Sequence, residues 1–250
     1  MDFKRIIFLL SIALTGCSKP SEKIVVATAA NVQYVMKEIQ AEFKKESGKE
    51  ILIVVGSSGK LTTQIREGAP FDVFVSADTK YPEEIFANGG SAEKPRVYAL
   101  GTLVLWSKDI PETELNATIL DTDRVKRIAI PNPRTAPYGE AAIQVLKAQK
   151  LFEKTEKKLV YGESIAQTAQ YISSGSVEAG FNALSIVLSD EMKGKGSYVI
   201  LDSSLYQPIQ QAAILLNHSA DSPKKVISEQ FYQFLYSAKA KAIFRKYGYK

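Results

Sequence analysis

A chain of 250 residues, 45% hydrophobic and 24% charged, has an ordinary globular composition and room for one large or two small domains. Its net charge of +5 is dispersed, with basic residues adjacent only in short groups such as Lys44-Lys45 and Lys224-Lys225, which argues against a nucleic-acid-binding face. The single cysteine, Cys17, and single histidine, His218, exclude an internal disulfide and a zinc site built on Cys and His ligands.

The N-terminus reads as a targeting segment. Lys4 and Arg5 precede the apolar run Ile6–Leu14, which is shorter than the ~20 residues needed to span a bilayer. The run ends in Leu14-Thr15-Gly16-Cys17, which resembles the bacterial lipoprotein signal. That resemblance implies a signal peptide over 1–16, lipidation of Cys17, a short tether over 17–22, and a protein held outside the cytoplasm by a lipid anchor alone.

Lys23–Ala29 is apolar enough for a buried strand. Ala30-Asn31 follows, then a helix with Val32, Val35, Met36, Ile39 and Phe43 on one face and Gly48 as its stop. Asn31 is a good N-cap type. Ile51–Val55 is the next strand and runs into Gly56-Ser57-Ser58-Gly59-Lys60-Leu61, a small-residue turn at a helix start. Such a turn offers backbone N–H groups and two hydroxyls at the positive end of a helix, which suits an anion. A Ser/Gly turn of this kind also serves simply to make a corner.

Gly68-Ala69-Pro70 breaks that helix, and Phe71–Asp78 is a third strand whose acids, Asp72 and Asp78, suit capping and turn roles. Val97–Trp106 reads as one long strand. The alternation then restarts with the strand Arg127–Ile130, the loop Pro131–Gly139 containing Tyr138, and a helix from Glu140 to Lys150. Leu159–Ser164 opens a further helix at Ile165; Ala179–Leu184 and Tyr198–Leu201 are strands; Pro208–Leu216 is a second long strand; and one amphipathic helix carrying Phe231, Phe234, Leu235, Ala238 and Ile243 ends the chain. Strands alternating with helices imply α/β architecture with parallel sheets. The two long strands are expected to cross between two halves, placing the junctions at Asn31, Ser58, Tyr138 and Ile165 around one cleft.

The chain resembles the extracytoplasmic molybdate-binding proteins of bacterial ABC transporters. The resemblance runs from about Ile24 to Tyr249 and is carried by Ala29-Ala30-Asn31, Gly56–Leu61, Gly68–Asp78, Asn132-Pro133 with Ala136–Gly139, and Phe244–Tyr249. It implies a type II periplasmic-binding-protein fold of two lobes, each a mostly parallel sheet flanked by helices, with residues 23–100 and 205–250 in lobe I and 101–204 in lobe II. The ligand would be molybdate or tungstate, with molybdenum present only within the oxyanion, and the partners a membrane permease and its ATPase. A monomer without enzymatic activity or cofactor is expected. Carried over by position, the contacts fall at Asn31, Ser58, Tyr138 and Ile165, with Ala30, Ser57 and Ala183 as secondary positions. Asn31 stands where many members have Ser or Thr, and Ala183 where some have Tyr.

The chemistry of the residues agrees. A fully ionised oxyanion offers only acceptors, and the four junctions supply neutral donors without a carboxylate. Phosphate carrying a proton would want an acceptor. Two alternatives stand: a binding protein for sulfate, thiosulfate or another oxyanion, and an anchored serine hydrolase using the S-x-x-K spacing of Ser57 and Lys60. The companion motifs S-D-N and K-T-G are absent.

Overall fold

The computed structural model describes residues 23–220 and 222–250. The expected leader and Cys17 lie outside them. The strands are β1 (Ile24–Ala29), β2 (Ile51–Gly56), β3 (Val73–Val75), β4 (Arg96–Gly101), β5 (Leu103–Ser107), β6 (Ile128–Pro131), β7 (Leu159–Gly162), β8 (Ala179–Ala183), β9 (Ser197–Ile200) and β10 (Ile209–Leu215). The helices are α1 (Gln33–Ser47), α2 (Ser58–Arg66), α3 (Lys80–Ala87), α4 (Pro137–Ala148), α5 (Phe152–Thr155), α6 (Ile165–Ser174), α7 (Leu184–Val187), α8 (Lys225–Phe234) and α9 (Ala238–Lys246).

Two five-stranded sheets result, in the orders β2-β1-β3-β10-β4 and β7-β6-β8-β5-β9. The first three strands of each order are mutually parallel, and the fourth runs antiparallel to both neighbours. The two orders are therefore the same topology, one sheet per lobe. In each, the reversed strand is the first one laid down after the chain has passed over from the other sheet.

The apolar runs account for this arrangement. Ile24, Val26, Ala27, Ile128, Ala129 and Ile130 are fully buried, as central parallel strands with both faces covered require. Helix α1 buries Val35, Met36, Ile39 and Phe43 as its spacing predicts, and Gly48 ends it at φ 68°, a left-handed conformation glycine adopts without steric cost. Phe43 then meets Phe231 and Phe234 edge-on, with centroids 5.2 and 5.5 Å apart, tying α8 to α1.

Three local expectations are corrected. Val97–Trp106 is two strands in different sheets, broken at Thr102, and Pro208–Leu216 lies in one sheet with the passage between sheets before it. The C-terminal helix is likewise two, because the Ser237 hydroxyl accepts from the Ala240 N–H and starts α9 afresh. Asn31 does not cap α1. It sits inside a short 3₁₀ turn, Ala30–Val32, and its side chain bonds elsewhere.

Candidate oxyanion site

The carboxyl ends of parallel strands from both sheets meet at one place. β1 ends at Ala29 and delivers Ala30 and Asn31, and β2 ends at Gly56 and delivers Ser57 and Ser58. From the other sheet, β6 ends at Pro131 and a loop leads to Ala136, Pro137 and Tyr138, while β7 ends at Gly162 and leads to Ile165. Ala29, Ala30, Asn31, Ser57, Ser58, Ala77, Ala136, Pro137, Tyr138 and Ile165 line one small pocket of about 10 Å³. That volume is about what one water requires, so a tetrahedral oxyanion enters only as the walls part.

The four principal sequence-predicted residues are thus brought together, as are Ala30 and Ser57. Ala183 is not. It ends β8 fully buried, outside the pocket wall, and its N–H is taken by the Asn182 side-chain oxygen at 2.9 Å. Ala77 was missed by sequence reasoning, although the Ser76-Ala77-Asp78 strand end carries the same kind of signal as the other junctions.

The wall contains groups that can donate: backbone N–H groups at helix starts and two serine hydroxyls. Ser58 and Ile165 are the first residues of α2 and α6, and Tyr138 is the second of α4, behind Pro137, which has no N–H to offer. The first N–H groups of a helix have no partner within it and carry the positive end of its dipole. Ser58 Oγ accepts from the Ala77 N–H at 3.0 Å, which leaves its own proton to donate. Ser57 Oγ is buried without a partner. No charged side chain lines the pocket. A larger cavity of about 180 Å³, sharing Pro137 with this pocket, is bordered by Asp78, Lys80 and Glu140, and its carboxylates make it a poor host for a dianion.

The lobes are joined across the pocket. The Gly59 N–H donates to the Thr135 carbonyl at 3.0 Å, and Tyr81 Oη to the Arg134 carbonyl at 3.0 Å. Gly59 permits the first approach, since a Cβ there would stand 2.7 Å from Tyr81 Oη and 3.0 Å from Thr135 Cα. A further bond between the lobes runs from Ser185 Oγ, in α7, to the Asn31 carbonyl at 2.8 Å. Lys60 Nζ reaches Glu163 across the cleft at 2.5 Å. Both side chains are more than half exposed, so the pair adds little to stability. Lys60 is therefore paired with an acid rather than with Ser57.

Behind the pocket lies a buried polar hub. The Asn31 side chain meets Gln211 and Tyr249 Oη, both at 2.9 Å, and Gln211 also meets Tyr98 Oη at 2.8 Å and Tyr138 Oη at 3.0 Å. Burial raises the hydroxyl pKa of Tyr98, Tyr138 and Tyr249 well above the ordinary value, so all three keep their protons at neutral pH. Asp72 and Asp78 take the structural roles their positions suggest. Asp72 Oδ2 accepts from the Val25 N–H at 2.7 Å, and Asp78 Oδ1 accepts from Ser76 Oγ at 2.9 Å and from the Tyr81 N–H at 3.3 Å.

Two sheets of matching topology with a neutral, donor-lined pocket between them define a two-lobed solute-binding protein. The family described as "Bacterial extracellular solute-binding protein" matches residues 24–250. The chain is 38% identical over 249 residues to the molybdate-binding protein ModA of Azotobacter vinelandii, covering 99% of this chain and 98% of that one. It is 38% identical over 228 residues to ModA of Rhodobacter capsulatus, covering 91% and 88%. The solved periplasmic molybdate-binding protein of Azotobacter vinelandii superposes with a TM-score of 0.85 at 33% identity, covering 91% of this chain and 99% of that one. The chain belongs to the ModA family of bacterial extracellular solute-binding proteins.

Proposed function

We propose that this protein captures molybdate, and tungstate with it, between its lobes outside the cytoplasm and presents it to an ABC permease and its ATPase. One observation carries the reading. Helix starts from both sheets, with Asn31, Ser57 and Ser58 among them, face one pocket that has no charged side chain in its wall. Backbone N–H groups from Asn31, Ser58, Tyr138 and Ile165 and the hydroxyls of Ser57 and Ser58 would hold the anion. They serve a ligand that only accepts, and they need no buried Lys or Arg to do so. The names of the relatives support molybdate over other oxyanions of the same charge.

Because the donors come from both lobes, the anion binds the closed form better than the open one and shifts the balance toward it by that difference. The permease would then recognise the closed shape. The lipid anchor on Cys17 and the monomeric state belong to the same proposal, as do lobe boundaries at 100/101 and 204/205. Parallel calorimetry of the mature protein with molybdate, tungstate, sulfate and phosphate tests it. Molybdate and tungstate should bind far more tightly than phosphate at any pH at which the protein is folded. Equal affinity for sulfate and molybdate would replace the reading with a general oxyanion binder.

A further inference from the structure

Among the described residues, three ion pairs cross from one lobe to the other. Lys37 of α1 meets Glu191, in the loop after α7, at 2.7 Å; Lys60 of α2 meets Glu163, just before α6, at 2.5 Å; and Lys80 of α3 meets Glu140 of α4 at 3.6 Å. In each pair the lysine belongs to the first lobe and the glutamate to the second. The whole lobes differ in the same direction. With the boundaries proposed above, the first has 17 Lys and Arg against 12 Asp and Glu, a net +5, and the second has 12 against 13, a net −1.

These pairs ring the pocket without entering its wall. Lys60 and Lys80 follow the wall residues Ser58 and Ala77 by two and three positions, and Glu140 and Glu163 stand two positions from Tyr138 and Ile165. All six side chains are more than 40% exposed, so in the closed form the pairs are solvated and add little to stability. When the walls part, the same charges act on the ligand instead. Three lysines are then freed on one side of the mouth and three glutamates on the other, so a dianion is drawn to the first lobe and turned away from the second. The side chains that can donate follow the same division. Asn31, Ser57 and Ser58 are on the first lobe, whereas the Tyr138 hydroxyl of the second is engaged by Gln211 at 3.0 Å. Two charges near the seam run against the pattern, Asp78 on the first lobe and Arg134 on the second, and neither forms an ion pair across it.

We propose that Lys37, Lys60 and Lys80 steer the oxyanion onto the first lobe, and that Glu191, Glu163 and Glu140 neutralise them as the second lobe closes over it. This rests on the molybdate-site reading above and adds an order of events: the anion lands on the Asn31–Ser58 side, and the helix starts at Tyr138 and Ile165 arrive afterwards. The lysines set the rate of capture, and the uncharged wall holds the captured anion.

Two triple variants test this. Lys37→Gln, Lys60→Gln and Lys80→Gln combined break the same three pairs as Glu140→Gln, Glu163→Gln and Glu191→Gln combined, so the closed form loses the same contacts in both. Association rates for molybdate, from stopped-flow mixing followed by intrinsic fluorescence, should nevertheless move in opposite directions. At ~0.1 M salt the lysine set should be slower than the parent by roughly 3- to 10-fold, the low end of electrostatic steering, and the glutamate set faster. In ~1 M salt, where the screening length is about 3 Å, all three rates should converge. Pairs that only latched the closed form would leave both association rates at the parent value and raise both dissociation rates, which would overturn the proposal. So would a change of the same sign in both sets. A third set, Lys44→Gln, Lys45→Gln and Lys49→Gln, removes as much charge from the far end of α1, ~20 Å along the helix from Asn31. That distance exceeds the ~10 Å screening length at 0.1 M salt, so its rate should stay within about twofold of the parent. A slowing equal to that of the cleft lysines would overturn the proposal in favour of overall charge. Equilibrium titration of the unaltered protein separates the two readings. No molybdate binding there would remove the site and the steering together, whereas tight binding with rates indifferent to the cleft charges would remove the steering alone.

Discussion

Gly59→Ala separates closing from folding. Gly59 is the second residue of α2, and its conformation is one that alanine adopts readily. Within the helix, alanine should add up to ~1 kcal/mol of stability over glycine. Across the cleft the effect is opposite. The new methyl would stand 3.0 Å from the backbone at Thr135 Cα in the facing lobe, and also 2.7 Å from Tyr81 Oη of its own lobe, a side-chain end held in that gap by its bond to Arg134. Relieving it means moving the lobes apart there, which breaks the 3.0 Å bonds from the Gly59 N–H to Thr135 and from Tyr81 to Arg134. At ~0.5–1.5 kcal/mol for each bond, the closed form loses about 1–3 kcal/mol, or about 5- to 150-fold in affinity. Calorimetry should show that loss for molybdate, while the melting temperature of the ligand-free protein holds or rises slightly. Small-angle scattering should show a smaller contraction on adding ligand. Unchanged affinity would refute the reasoning, since it would mean that binding does not require Gly59 and Thr135 to approach.

Other substitutions probe neighbouring parts of the argument. Ser58→Ala removes a pocket hydroxyl and should weaken molybdate binding about 10- to 100-fold by calorimetry; it also orphans the Ala77 N–H, so thermal melts should show a stability loss of ~1–3 kcal/mol. Asp78 is largely buried, and that burial raises its carboxyl pKa from 3.8 to about 6. Between those values the folded protein holds a proton that the unfolded chain has lost, so stability should fall as pH rises through the window, by at most ~3 kcal/mol. Asp78→Asn should flatten that slope in melts at pH 4.5 and 7.5; an equal slope in both proteins would refute the burial argument. Cys17→Ser should leave the protein unprocessed or release it from the membrane, and an unmodified Cys17 in membrane-bound protein, seen by mass spectrometry, would count against the anchor.

The α/β alternation was legible because buried parallel strands and amphipathic helices leave different periods in the sequence. The pocket was legible for the same reason: Asn31, Ser58, Tyr138 and Ile165 each follow a strand, and parallel strands deliver their carboxyl ends to one edge. Long-range pairing was not legible. Nothing local in Gln210-Gln211 shows that one glutamine would join Asn31, Tyr98 and Tyr138, since those contacts span 180, 113 and 73 residues. The break at Thr102 was hidden because both flanking segments are strand-like and differ only in the sheet they enter. The split at Ser237 was readable in principle, as a capping serine inside an otherwise continuous apolar stripe.

The placement of the reversed strands bears on the order in which the molecule can be finished. All the strands of the second sheet come from one uninterrupted stretch, 103–200, so that sheet can be completed as soon as its own residues are available. The first sheet begins earlier and ends later. Its β3 and β4 are not neighbours, and β10, residues 209–215, must slide between them before the sheet is continuous. Leu100 waits longer still for its backbone partner, Lys250, and Asn31 for Tyr249. A chain emerging from its N-terminus would therefore finish the second-encoded lobe first, and the polar hub beside the pocket would stay incomplete until Tyr249 had arrived.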